Sequence, residues 1–180
     1  MYCGCNPIAL SSQTQISEAL LRLMMEKSYS EITVSELCRE SGVSRQTFYS
    51  LFRSMENVVL FTLQERLCAL PHASGAAVTL EQLCRCYSSY ISENREYLKL
   101  LVENNVAYLL YDSICESLLC CREHALCPGT AYAARREYAV PFLAGGLTGV
   151  VRQYCTAEPP PSADALYEIL CALLGGEGLR

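Results

Sequence analysis

The chain reads as all-α, and three observations lead there. Apolar residues recur at i, i+3, i+4 spacing along most of its length, no stretch alternates with period two for long enough to make a strand, and Ser, Thr, Pro or Gly signals punctuate the periodic runs. Half of the 180 residues are hydrophobic and 18% are charged, a balance that suits a packed core and excludes disorder. The architecture expected is a three-helix N-terminal head with a helix-turn-helix, residues 10–70, followed by a helical body, residues 76–178, with about nine helices in all. No run of eighteen apolar residues exists to span a bilayer. The opening MYCGCNPIALSSQ has neither the positive region nor the apolar stretch of an export signal, so a cytoplasmic location is expected.

Helix 1 is expected to begin at Ser12, which has capping-box spacing to Gln15. Ile16, Leu20 and Leu23 supply its buried stripe. Thr33 and Glu36 repeat the capping-box spacing for helix 2, and Ile32 and Leu37 fall at the positions of a hydrophobic staple. Gly42 stops that helix, as a residue free to take positive φ can. Ser44 then caps helix 3, with Val43 and Phe48 as its staple pair. Helix 3 buries Phe48, Leu51 and Phe52 and turns Arg45, Gln46, Tyr49 and Ser50 outward. Two helices of about seven residues joined by a three-residue link containing Gly make a helix-turn-helix. Arg pairs bidentately with guanine and Gln with adenine in the major groove, so the outward face has the chemistry of a DNA reader. Helix 4 is expected over about Ser54–Leu70, and Pro71-His-Ala-Ser-Gly75 is the domain boundary.

The run from Ile16 to Val59 resembles the N-terminal domain of the TetR/AcrR family of bacterial transcriptional regulators. The matching features, in register, are an Ile-led helix, Ser28-Tyr29, Thr33-Val34, Leu37-Cys38, Gly42-Val43-Ser44, Phe48-Tyr49 and a closing Phe52. The resemblance implies that Thr33, Ser44, Thr47 and Tyr49 hold phosphates and that Arg45 and Gln46 lie nearest the base edges. Two positions depart from the family pattern. Leu51 stands where the family usually has His, and Met55 stands where it usually has a Lys that grips a phosphate at a helix N-terminus. Arg53, two positions earlier, is the nearest replacement for that Lys.

The net charge of −5 runs against a nucleic-acid partner, so placement has to answer it. Residues 1–69 carry six basic and seven acidic groups, and no basic arm precedes helix 1. Yet no acid lies between Glu40 and Glu56, whereas Arg45 and Arg53 do. Counterion release depends on the phosphates actually contacted, so weak non-specific binding beside specific binding is expected. The twelve cysteines include no C-x-x-C. Cys38, Cys68, Cys84 and Cys171 fall on apolar helix faces, where a thiol serves as a small hydrophobe. A sharper alternative is a redox or metal sensor built from Cys115, Cys120 and Cys121 near His124.

Beyond the boundary, Leu80, Leu83, Tyr87 and Tyr90/Ile91 form one stripe, and Tyr97, Leu98 and Leu101 begin another. A third helix is expected over about Val106–Glu123, a long one over about Thr130–Cys155, and a last one capped by Ser162. The long segment carries Gly145, Gly146 and Gly149 mid-helix, where each Gly costs about 1 kcal/mol relative to Ala. Gly145 and Gly149 share a face, so a partner backbone can come close. This Gly-Gly helix, a Pro/Ser link and a final apolar helix resemble the C-terminal end of TetR-family regulators, particularly the group with activators of dihydroxyacetone kinase genes. That resemblance implies a homodimer interface at Gly145, Gly149, Leu166 and Leu170. Nine of the twelve tyrosines follow residue 80. Tyr87, Tyr90, Tyr108, Tyr111 and Tyr138 have the apolar walls and polar tips of a small-molecule effector pocket.

Neither His72 nor His124 sits in a catalytic pattern, and no phosphate loop or metal motif occurs. No enzyme, cofactor or resident metal is expected. The reading is a homodimeric, ligand-responsive regulator of a pseudo-palindromic double-stranded DNA operator, with no membrane partner. The alternatives are a TetR-like interaction module that has lost DNA binding, and the thiol sensor.

Overall fold

The computed structural model describes residues 6–67, 79–120 and 131–175. Among them are ten α-helices and no strand: α1 Pro7–Glu26, α2 Val34–Ser41, α3 Arg45–Leu51, α4 Met55–Leu67, α5 Leu80–Glu93, α6 Arg95–Glu103, α7 Tyr108–Cys120, α8 Ala131–Ala134, α9 Arg136–Thr156 and α10 Ala163–Leu174. A single 3-10 turn, Tyr29–Glu31, joins α1 to α2. The all-α expectation holds, with an N-terminal helix-turn-helix. The expected boundary at Pro71–Gly75 lies outside the described residues, as do its flanks. No described helix is long and apolar enough to cross a membrane.

Local chemistry explains most element ends. The start of α1 differs from the expected Ser12. Asn6 Oδ1 accepts the Ile8 N–H at 3.0 Å and Pro7 occupies the first turn, a position its ring pre-organises. Ser12, one turn inside, instead donates to the Ile8 carbonyl at 3.0 Å. The Thr33 cap forms, its hydroxyl accepting the Glu36 N–H at 3.3 Å, but only as half a capping box, because the Glu36 carboxylate turns to Lys27. A complete box stands at Thr79 and Gln82, each side chain accepting the other's N–H, and opens α5. The long segment expected from about Thr130 is interrupted at Arg135, so α8 and α9 are separate helices. Ser162 caps α10 by accepting the Ala165 N–H at 3.2 Å.

In the head, α1 packs on α2, α3 and α4. α4 then reaches into the body to pack on α7; α7 packs on α9, which also touches α6 and α8, while α5 lies against α10 and α6. Head and body therefore share one hydrophobic cluster running from Ile16, Leu37, Phe48 and Phe52 through Leu63 to Leu98, Leu110, Leu143 and Leu170. A polar tie stands beside it. Asn104, at the end of α6, accepts the Tyr29 N–H at 2.7 Å through Oδ1, while its amide donates to the Leu100 and Met24 carbonyls at 3.0 and 3.3 Å. Asn105 follows with φ 59°, a left-handed conformation that Asn tolerates. The end of α1, the turn before α2 and the end of α6 thus meet at one side chain.

Candidate nucleic-acid interface

The helix-turn-helix is built by its caps. Gly42 takes φ 69°, and its N–H reaches the Arg39 carbonyl at 3.4 Å, closing α2 in the left-handed conformation that a side chain would strain. Val43 then tucks inward, and Ser44 Oγ accepts the Thr47 N–H at 3.1 Å to open α3. Ser44 and Thr47 hydroxyls also lie 2.9 Å apart. Phe48, Leu51 and Phe52 are buried, and this inward face decides which residues point out.

Those are Arg45, Gln46, Tyr49 and Ser50, with Arg53 just beyond the helix, all exposed. Tyr49 is 58% exposed, and its ring meets Phe48 edge-on at 5.2 Å, which orients the phenol outward. Thr33 and Ser44 are exposed caps, and Thr47 is half-buried. Of the seven residues expected at this interface, Thr33 caps α2, Ser44, Arg45, Gln46 and Thr47 form the start of α3, Tyr49 lies one turn on, and Arg53 follows its end. Leu51, at the position where the resemblance expects His, is core. Met55 opens α4 half-buried against the same core, so its side chain belongs to packing. Near it, the Arg53 N–H donates to Asn57 Oδ1 at 3.3 Å. The nearest acid beyond, Glu56, accepts the Tyr108 hydroxyl at 2.9 Å and is thereby engaged by the body. Burial, with Glu56 and Tyr108 beside it, pushes the neighbouring Tyr29 phenol up to about 12.

Two ion pairs hold α2 against α1: Arg22 with Glu40 at 3.2 Å, and Lys27 with Glu36. The hydrogen bond from Lys27 holds the Glu36 carboxyl below its ordinary value of 4.5. A depressed carboxyl stabilises the fold above its unfolded value, and that contribution disappears as pH falls through the folded one. The difference in denaturation midpoint between the wild type and Glu36→Gln should be fully present near neutrality. It should shrink once pH drops below about 4.5. Equal midpoints at neutral pH would show that the pair does not support the head.

Elsewhere the expected residues scatter. Tyr87 and Tyr90 point inward from α5, whereas Tyr108, Tyr111 and Tyr138 are exposed on α7 and α9, so the five do not gather round one cavity. Gly145 and Gly149 are exposed on α9, with nothing within 4 Å of a Cβ built on either. Leu166 and Leu170, expected beside them at an interface, are instead 2% and 1% exposed, turned into the chain's own core on the helix that packs on α5. The large apolar residues that α10 presents outward are Ile169 and Leu173. Of the suggested sensor, only the Cys115 side chain is described; Cys120 offers backbone alone, and Cys121 and His124 lie outside. Burial raises the thiols of Cys38, Cys86 and Cys115, and that of Cys155 to about 11, which disfavours the thiolate that redox chemistry needs.

An exposed, capped second helix held by a glycine turn against two others defines a helix-turn-helix domain. Residues 16–60, from α1 into α4, match the family model of the bacterial regulatory proteins of the tetR family. The whole chain is similar in fold to Lin0861 from Listeria innocua, at 15% identity and a TM-score of 0.78, over 100% of this chain and 97% of that one. It is also similar to a TetR transcriptional regulator from Streptococcus agalactiae, at 19% identity and a TM-score of 0.62, over 92% of this chain and 94% of that one. No curated protein matches it in sequence. The architecture is a TetR-like all-helical fold with an N-terminal helix-turn-helix domain.

Proposed function

We propose that this protein is a transcriptional regulator that reads double-stranded DNA through α3 and binds its operator as a homodimer. The observation that carries the reading is the outward face of α3. Arg45, Gln46, Tyr49 and Ser50 are exposed together on one helix, and its buried face and both ends are fully used for packing and capping. Two copies place their reading helices in successive major grooves about 34–36 Å apart, on a pseudo-palindrome. The second copy has a ready surface. Tyr138, Phe142, Gly145 and Gly149 follow one another down the exposed side of α9, and Phe142 is 63% exposed. An apolar stripe that narrows to backbone at the glycines suits close approach of an identical helix. A small-molecule effector that favours one separation of the heads shifts DNA affinity by shifting that population.

Selection of bound sequences from a random DNA pool tests the reading, and enrichment of a palindrome is the expected result. Against the selected site, Arg45→Ala should cost about 1–3 kcal/mol and relax base choice at one position per half-site. Tyr49→Phe should weaken all sequences evenly, as a phosphate contact does. Wild-type binding by both variants would remove α3 as the reader. One observation favours a second reading, a regulator-like module without DNA binding: Met55 lies half-buried against the core where the resemblance expects a phosphate-gripping Lys. A pool that yields no enriched sequence would select it.

A further inference from the structure

A cleft runs along the seam between head and body. Its larger lobe, about 520 Å³, lies between Leu21 and Met25 of α1 and Tyr97, Lys99 and Leu100 of α6. A smaller lobe, about 270 Å³, is walled by Arg85, Cys86, Ser89 and Tyr90 of α5. Arg66, Glu93 and Asn94 stand in both, so the lobes meet at one wall.

The two lobes differ in chemistry. The larger has Leu21, Met25 and Leu100 as its apolar lining, and its other charges are mostly satisfied locally: Lys99 pairs with Glu103 at 3.8 Å, and Glu96 with Arg95 at 3.2 Å. The smaller carries two guanidinium groups against one carboxylate. Arg85 leans over the Tyr167 ring at 4.3 Å with Glu81 3.5 Å away. Arg66 is different. It donates to Asn94 Oδ1 at 2.7 Å and lies over the Tyr97 ring at 4.6 Å, yet no carboxylate among the described residues comes within ion-pair distance of it. The Tyr90 hydroxyl supplies a second, independent sign. Tyr90 is 6% exposed, and its hydroxyl has no hydrogen-bond partner among the described residues. A buried hydroxyl without a partner costs about 1–3 kcal/mol, and a small swing of the Tyr90 ring toward the lobe it lines, onto a ligand oxygen, removes that cost. Burial raises the Tyr90 phenol and Arg66 nearby lowers it only in part, so the hydroxyl keeps its proton and serves as a donor.

We propose that this cleft is the effector site, and that its ligand is a small organic monoanion, with its carboxylate, sulfonate or phosphodiester head held by Arg66 and Tyr90 and its apolar body lying over Leu21, Met25 and Leu100. Glu93 in the shared wall selects against a second negative charge. A ligand so placed touches α1 and α6 together, the two elements that Asn104 ties. It therefore acts on how the head sits against the body. The binding stands on the cleft alone, whereas the effect on DNA rests on the regulator reading above.

The test uses the full-length protein and 1-anilinonaphthalene-8-sulfonate, an aromatic sulfonate, beside N-phenyl-1-naphthylamine, which has the same rings without the anion. The sulfonate should give saturable fluorescence on the wild type. Its binding should fall about tenfold or more in Arg66→Gln, from loss of a charge-assisted contact, and several-fold in Tyr90→Phe. The neutral probe should bind all three proteins equally and less tightly. Arg135→Gln, exposed at the start of α9, should match the wild type with both probes. No saturable sulfonate binding, or equal binding by wild type, Arg66→Gln and Tyr90→Phe, would overturn the proposal. Tyr90→Phe keeps the test valid should Arg66→Gln lose its fold. Sulfonate binding that leaves the affinity for a selected palindrome unchanged would confirm a monoanion site and overturn its role as the effector site. Absence of any selected palindrome would instead count against the regulator reading.

Discussion

Phe48→Ala should abolish the head as a cooperative unit. Phe48 is fully buried, its ring lies tilted against that of Phe52 with centroids 6.1 Å apart, and it is the residue on which α3 turns inward. Truncating a buried Phe costs about 3–5 kcal/mol, transfer and cavity terms together. For a chain of this size that lowers the thermal midpoint by roughly 10 °C. The loss falls first on α1–α3, which pack round Phe48, so the proposed DNA binding should vanish before the body melts. Urea unfolding followed by circular dichroism gives the check, with Tyr49→Ala as the exposed neighbour. A Phe48→Ala midpoint within error of the wild type would show that the packing described for α3 does not hold the head.

In the homodimer proposed above, Gly149→Leu should convert dimer to monomers and remove the proposed operator binding with little harm to the fold. Within one chain nothing stands within 4 Å of a Cβ at Gly145, Gly146 or Gly149. Any of the three replaced by Ala should therefore gain about 1 kcal/mol of helix stability in an isolated chain. A second copy pressed on that face reverses the sign. Overpacking costs about 1–3 kcal/mol, and two-fold symmetry applies it twice. Sedimentation velocity separates the cases, since the wild type should sediment as a dimer and the variant as a folded monomer. A Gly149→Leu protein that stays dimeric and binds DNA normally would move the interface elsewhere.

The helix-turn-helix was legible because its signals are short-range. Thr33, Gly42, Ser44 and the spacing of Phe48, Leu51 and Phe52 act within one or two turns, and each stands where those signals put it. What was illegible involves choices between equivalent faces. Helical periodicity shows that Leu166 and Leu170 share a stripe, but a stripe covered by α5 and one left for a second copy look alike in sequence. The same ambiguity dispersed the five tyrosines. Asn6-Pro7 was passed over for Ser12, although both have the chemistry of a helix start, because the apolar period becomes clear only at Ile16. The cleft had no local signal at all. Arg66 and Asn94 meet across twenty-eight positions of chain, and only folding makes them neighbours.

Asn104 offers a use of its own as a native spectroscopic handle. The Tyr29 amide hydrogen lies in the head, seventy-five positions before the side chain that accepts it in the body. Its shielding from deuterium therefore depends on the two parts staying docked, while amides inside α2 and α3 are shielded by their own helices. Hydrogen exchange at this one amide, compared with its helical neighbours, measures how often the head lifts from the body. It does so in the untouched protein, with no label, operator or effector added. An Asn104→Asp exchange keeps the acceptor for Tyr29 and removes the donors to Leu100 and Met24, so it divides the tie into its two halves.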